Sequence, residues 1–285
     1  MNSSLKHFLN VQSNWVIHEN VWFSKENIEV TSAFKDSDQD QLFDIEDHSW
    51  WFKYRGKCIK GIAEKYINKD HFICDIGGGN GYTTKLIQNT GKETFLIEPS
   101  PQACYNASKR GINNIICGTL NNKDFADKSI DSCLLLDVLE HIEDDATFLE
   151  LIHQKLKSGG ELLITVPAFN SLWSNEDVYA GHFKRYSKKQ LCELLKKHKF
   201  EILYINYFFS FLYFPILFFR VFKDKFTKKK ELKIDAARKQ LEFQSKFVSF
   251  FLNKFEKLEH KRLFNNKRNI LGSSIITVVR KNDTF

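Results

Sequence analysis

The sequence is short of the patterns that announce a zinc protein, a secreted protein or a membrane span. No two of its six cysteines form a Cys-x-x-Cys pair, and no Cys/His spacing suits zinc. Cys58, Cys74, Cys104, Cys117, Cys133 and Cys192 are scattered, several inside apolar runs, as buried thiols in a reducing compartment are. The opening MNSSLKHFLNVQSNW lacks a long apolar core, so no signal peptide is expected and the expected compartment is the cytoplasm. The greasiest stretch, YFFSFLYFPILFF (207–219), has a serine and a proline. It is short of the roughly twenty residues a transmembrane helix needs unless extended through Asn206 or Arg220. Net positive charge is confined to one segment. Residues 220–270 hold 16 Lys and Arg against 6 Asp and Glu, net +10, which leaves −3 for the rest of a chain whose total is +7.

What the sequence does have is alternation. The stretch DHSWWFKYRGKCIKGIAEKYI (47–67) places Trp51, Tyr54, Cys58, Ile62 and Tyr66 at helical spacing. Strand-like HFICDI is followed by helical GYTTKLIQNTG, then strand ETFLIEP and helix SPQACYNASKRG. In the latter, Ser100 suits the N-cap, Pro101 the first turn and Gly111 the C-cap. NIIC, SIDSCLLLD, ELLITVP and FEILYINYF read as further strands, with helices DATFLELIHQKLKSGG and SKKQLCELLKKHK between them. A last strand, SSIITVVRK, arrives at 273–281. This order predicts a parallel α/β sheet with helices on both faces. Residues 1–46 form an N-terminal extension, with a short hairpin suggested at VWFSKENIEV. Residues 47–207 plus 272–285 form the main domain, and 208–271 a helical apolar and basic insertion. Its expected second helix shows an apolar face of Val248, Phe251, Phe255 and Leu258.

The chemistry begins at the first strand–helix turn, DIGGGNG (75–81). Spaced glycines allow a tight turn and close approach of a ligand to backbone N–H groups. An acid at Asp75 would repel the pyrophosphate of a dinucleotide but suits a ligand carrying an ammonium and a sulfonium. Glu98 ends the second strand, 23 residues on, where an acid can accept both ribose hydroxyls of an adenosine.

DIGGGNG (75–81), LIEPS (96–100), LDVLEHIED (136–144) and LKSGGELLITVPA (156–168) together resemble the successive motifs of class I S-adenosylmethionine-dependent methyltransferases. The resemblance implies a Rossmann-like seven-stranded sheet, order 3-2-1-4-5-7-6, with the seventh strand antiparallel. It implies S-adenosyl-L-methionine as cofactor, with Asp75, Gly77, Gly79 and Gly81 around its amino-acid part and Glu98 on the ribose. Thr119 and Leu120 would approach the adenine, although an acid often stands where Thr119 is. Asp137 would line the donor pocket, and Arg55 in the entry helix could pair with the donor carboxylate or simply pack.

Transfer from an activated sulfonium needs alignment, exclusion of water and, for a hydroxyl acceptor, a base. Glu140 and His141 at the fourth strand's end are candidates for base or acceptor contact; the alternative is that His141 caps the next helix and packs against the fold. Asp137, Glu140 and His141 also match an acid-x-x-Glu-His cation set of some quinone-biosynthesis O-methyltransferases. Most relatives with Leu-Glu-His hold no metal, so none is expected. The stretch GHFKRY (181–186) resembles the GH-x-x-RY segment of one branch of the family. There His182 could act as base, Arg185 could orient an anionic group and Tyr186 could position the acceptor; a loop whose Arg and His satisfy backbone carbonyls is the alternative. The expected reaction is methyl transfer to an oxygen of a small-molecule or lipid-linked acceptor. The alternative is a catalytically silent donor-fold protein that binds a partner through its insertion. Aromatic residues followed by lysines at 207–230 suggest peripheral contact with the inner face of the membrane, or a lid. No nucleic-acid partner is expected. The Asn/Asp-Pro-Pro-aromatic loop of base-methylating enzymes is missing, and the basic segment has no clear stacking platform.

Overall fold

A computed structural model describes residues 8–9, 15–24, 36–121, 123–222 and 246–283. The strands are β1 (Trp15–His18), β2 (Val21–Ser24), β3 (Ile73–Ile76), β4 (Thr94–Glu98), β5 (Ile115–Cys117), β6 (Ile130–Leu136), β7 (Leu156–Pro167), β8 (Phe200–Phe208) and β9 (Ser274–Lys281). They form one sheet in the order β1-β2-β5-β4-β3-β6-β7-β9-β8. The expectation of seven strands in the order 3-2-1-4-5-7-6 is therefore corrected to nine. The difference lies in the N-terminal residues. Positive φ at Glu19 and Asn20 closes a tight hairpin between β1 and β2, of the primed-turn kind that follows strand twist. β2 then pairs in parallel with β5, and Val21 is fully buried beside Leu96, Cys104 and Ile115. The hairpin pairs VWFS with the strand before it, while KENIEV (25–30) of the expected hairpin lies outside the described residues. At the other side β9 runs antiparallel between β7 and β8.

The helices are α1 (Asp36–Glu46), α2 (Trp50–Tyr66), α3 (Tyr82–Gln88), α4 (Pro101–Lys109), α5 (Asp145–Lys155), α6 (Asn175–Tyr179), α7 (Lys188–Lys197), α8 (Tyr213–Ile216) and α9 (Lys246–Phe264). Local chemistry starts them. Ser49 accepts from Trp51 N–H at α2, and Ser100 accepts from Ala103 N–H at α4, with Pro101 in the first turn. Strand alternation then sorts side chains to two cores. Cys133, Leu135, Leu162, Ile164 and Val279 face Leu149, Ile152, Leu191 and Leu195 of α5 and α7. Leu134, Leu136, Leu163, Ile276 and Val278 face Cys58, Ile59, Ile62 and Ala63 of α2. The second half of β6, Cys133–Leu136, is an apolar run because both of its faces are covered.

The described part of the insertion is fastened to the second core. Phe209 is fully buried and stacks on Trp51 at 5.6 Å. Glu259 of α9 accepts from Tyr54 Oη–H (2.7 Å), Phe209 N–H (3.0 Å) and Ser210 N–H (2.7 Å). Leu263 is buried, whereas Phe255 and Leu258 are about half exposed. The packed face of α9 is therefore not the expected Phe255/Leu258 stripe; Val248 and Phe251 have side chains outside the described residues. No described helix is long and apolar enough to cross a membrane. Tyr207, Phe208 and Phe209, which open the greasy run, are core residues, and the lysines at 223–230 lie outside the described residues.

Candidate active site

The carboxyl ends of β3, β4 and β6 converge, and the sequence's acids stand there. Asp75 is buried, with Oδ2 accepting from Thr84 Oγ1–H at 2.6 Å and Oδ1 buried without a hydrogen-bond partner. Burial pushes its pKa up to about 6, with Thr84 and Arg55 pulling the other way. Glu98 is buried at the tip of β4. Its Oε2 accepts from Gly79 N–H (3.0 Å) and its Oε1 from Ser100 N–H (2.9 Å), so it braces the glycine turn directly. Gly77 donates its N–H to Ile97 C=O at 2.7 Å, which ties the turn to β4.

The turn has an open side and a packed side. At Gly79 (φ +54°) a Cβ would meet no atom within 4 Å; at Gly81 (φ +76°) it would lie 2.3 Å from Ile112 Cδ1. Gly79 borders a free cradle and Gly81 sits against α4. The packed side is held by residues that the motif alone does not mark. Asn80 donates to Gln39 C=O and accepts from Asn106, and Arg110 donates to Asn80 C=O, Glu46 and both oxygens of Asp47. A buried carboxylate oxygen without a partner, at the end of the strand that leads into a turn with an open cradle, fits a donor that carries an ammonium group. Thr119 is exposed and Leu120 is buried in the core.

β6 ends in strain. Asp137 has φ +57°, a left-handed conformation that a non-glycine residue adopts at a cost of about 1–2 kcal/mol. It is held by Arg55, whose Nη2 lies 2.7 Å from Oδ2, and by Thr165 Oγ1–H donating to Oδ1 at 2.9 Å. Arg55 is thus committed to Asp137 and Thr165 and also stacks near Trp51.

The next turn brings two distant segments together. Phe183 N–H donates to Glu140 C=O at 2.8 Å, and Tyr186 Oη–H reaches Asp145 Oδ2 at 2.8 Å. The His141 and His182 rings consequently meet with centroids 4.7 Å apart at 77°. Glu140 is buried; burial, reinforced by Asp137, pushes its carboxyl well above the usual carboxylate range. His141 is pushed down to about 4, by burial first and then by His182, so its imidazole is neutral near pH 7. His182 Nδ1 lies 2.8 Å from Asp177 Oδ1, and Arg185 Nε–H donates to the same oxygen at 2.7 Å. Burial would raise the Asp177 pKa, but His182 and Arg185 outweigh it and hold it below the usual range. Asp177 is therefore a carboxylate, an acceptor only, so His182 donates to it from Nδ1, and in the neutral form of that ring the lone pair is on Nε2. Arg185 also donates to Ala168 C=O, and the buried Tyr186 is turned towards Leu139 and Asp145. His141, His182 and Glu140 form one cluster, and Arg185 and Tyr186 brace the segment behind it through Asp177 and Asp145. Asp177 is the residue sequence reasoning missed. Its signal, an acid five residues before His182 and eight before Arg185, is short and lies across an irregular loop.

Comparisons with known proteins agree with this geometry. A sequence profile of the methyltransferase domain matches residues 74–164. A probable S-adenosylmethionine-dependent methyltransferase of Mycolicibacterium smegmatis is 22% identical over 161 residues, 55% of this chain and 62% of that protein. A demethylmenaquinone methyltransferase of Tropheryma whipplei is 34% identical over 97 residues, 32% of this chain and 40% of that protein. Phosphoethanolamine N-methyltransferase 2 of Haemonchus contortus, solved with S-adenosyl-L-methionine, superposes with TM-score 0.55 at 16% identity, covering 88% of this chain and 58% of that one. Residues 74–164 thus match a methyltransferase domain, and the chain is similar to S-adenosylmethionine-dependent methyltransferases, a class whose cofactor is S-adenosylmethionine. The matched regions span less than two thirds of either curated relative.

Proposed function

We propose that this protein transfers the methyl group of S-adenosylmethionine to an oxygen of a small-molecule acceptor. The observation that carries the donor half is the orphaned Oδ1 of Asp75 beside the open cradle at Gly79. Asp75, Gly77, Gly79 and Gly81 would hold the amino-acid part of the donor, Glu98 its ribose, and Thr119 and Leu120 would border the adenine. Glu98 reaches that role through the glycine turn it already fixes. Arg55 holds Asp137 at the pocket's inner wall rather than standing free for the donor carboxylate. The bound donor supplies an activated methyl on a sulfonium.

The acceptor half rests on Glu140, His141 and His182, which adjoin Asp137: its charge acts on both Glu140 and His141. A hydroxyl must lose its proton as its oxygen takes the methyl, and neutral imidazole beside a buried carboxyl is suited to that task. Arg185 and Tyr186 shape this wall through Asp177 and Asp145. The likeness to a demethylmenaquinone methyltransferase supports a small-molecule acceptor.

Calorimetry with S-adenosylmethionine and S-adenosylhomocysteine tests the donor half; absence of binding by both would overturn it. Labelled-methyl transfer into fractionated cell extract, with mass analysis of the product, tests the acceptor half. Transfer to nitrogen or carbon alone would overturn the oxygen assignment, and donor binding without any transfer would favour the silent-scaffold alternative.

A further inference from the structure

Glu140, His141 and His182 can each bring one ligand atom within 4.8 Å of the others. This is a different set from the acid-x-x-Glu-His pattern in the sequence. Asp137 is bound to Arg55 and Thr165, and its place is taken by an imidazole from a loop some forty residues away. A second observation points to an occupant. Glu140 is 1% exposed, and its Oε2 has no hydrogen-bond partner although it lies in this cluster. A buried carboxyl oxygen left without a partner in a cluster with two imidazoles is costly unless a positive group meets it.

We infer that Glu140, His141 and His182 form a binding site for one divalent transition-metal cation on the acceptor side of the pocket. Two imidazoles and one carboxylate select such a cation over magnesium or calcium, which prefer all-oxygen sites. Metal–ligand bonds of about 2.1 Å require ligand atoms about 3.3 Å apart, so the three side chains draw together by rotation on binding. The supports for this are present. Asp177 fixes the His182 tautomer with the lone pair on Nε2, the arrangement of a carboxylate–histidine–metal relay. With three protein ligands, coordination positions remain for the acceptor. This deepens the proposed function and rests on it for its chemistry. With the imidazoles engaged as ligands in place of acting as the base, an acceptor hydroxyl on the cation would lose its proton to solvent, and its oxygen would then take the donor methyl. The O–C bond forms as the C–S bond breaks, and S-adenosylhomocysteine leaves.

The test uses the full chain stripped with EDTA and titrated with Co²⁺, read by its visible ligand-field absorption, with Zn²⁺ competition. One equivalent is expected, with Glu140→Gln and His182→Ala each weakening binding at least about tenfold and Asp177→Asn by about 10–100-fold. Calorimetry with S-adenosylmethionine on the same samples separates the two claims. Donor binding that survives EDTA and all three substitutions shows that the fold and donor site are intact. Co²⁺ uptake that is absent, substoichiometric or unchanged in these variants then overturns the cation site alone. Donor binding absent from the unsubstituted protein, with stoichiometric Co²⁺ uptake, would overturn the proposed function and leave the cation site standing.

Discussion

Asp177 and His182 are joined by a 2.8 Å hydrogen bond between Oδ1 and Nδ1, and that bond decides which nitrogen of His182 can meet an acceptor. In Asp177→Asn the amide can donate as well as accept, so the tautomer is no longer enforced. Turnover is expected to fall by about a hundredfold or more, the order that a misplaced proton acceptor or ligand costs. S-adenosylmethionine affinity should stay within about twofold, because Asp177 has no contact with the glycine turn. Steady-state kinetics beside calorimetry checks this, and equal loss of donor affinity would count against it.

The Arg55–Asp137 pair keeps a strained residue in place. Arg55→Ala removes a charged hydrogen bond of 2.7 Å to an Asp137 that retains only its bond from Thr165. The expected cost is about 1.5–3 kcal/mol, since Arg55 is nearly buried and Asp137 partly so. Urea unfolding measures it. Arg55→Lys should recover only part, because an ammonium lacks the planar fork. A loss below about 0.5 kcal/mol would mean that the pair is incidental.

Asp75 gives donor binding a pH signature. Its free-state pKa of about 6 is raised above the ordinary carboxylate value, so the group takes up a proton as pH falls through 6. A cationic donor favours the ionised form and must displace that proton. Affinity should be flat above about pH 7 and fall by up to about tenfold per pH unit below 6. Calorimetry in buffers of different ionisation enthalpy should detect proton release at pH 5.5 and little at pH 7.5. In Asp75→Asn the release should vanish and affinity should fall at every pH.

The residues that carry backbone chemistry were the legible ones. Ser100 and Pro101 begin α4 as their types require, and the glycines of 77–81 make the turn their spacing implies. Asp137, Glu140 and His141 could be placed because they follow a strand end directly. The meeting of His141 with His182 could not, since it depends on Phe183 N–H finding Glu140 C=O across some forty residues. The hairpin that widens the sheet was half legible for a similar reason. Glu19 and Asn20 adopt positive φ without the glycine that advertises such a turn. The packed face of α9 was misread because Glu259, a charged residue, is what it buries, to satisfy Tyr54 and two backbone N–H groups.

Gly79 and Gly81 separate donor binding from folding. At Gly79 an added methyl meets no protein atom within 4 Å, so Gly79→Ala should cost only the strain of a left-handed alanine, about 1–2 kcal/mol. That methyl would stand in the cradle and should weaken S-adenosylmethionine binding at least about tenfold. At Gly81 the same methyl lies 2.3 Å from Ile112 Cδ1 and 3.0 Å from Ala107 Cβ, so overpacking of about 1–3 kcal/mol adds to a similar strain. Gly81→Ala should therefore be the less stable protein, and the donor affinity of its folded fraction should be the less affected. Melting curves and calorimetry on the two variants read both quantities. If Gly79→Ala binds the donor as well as the unsubstituted chain, the cradle is not where the donor lies.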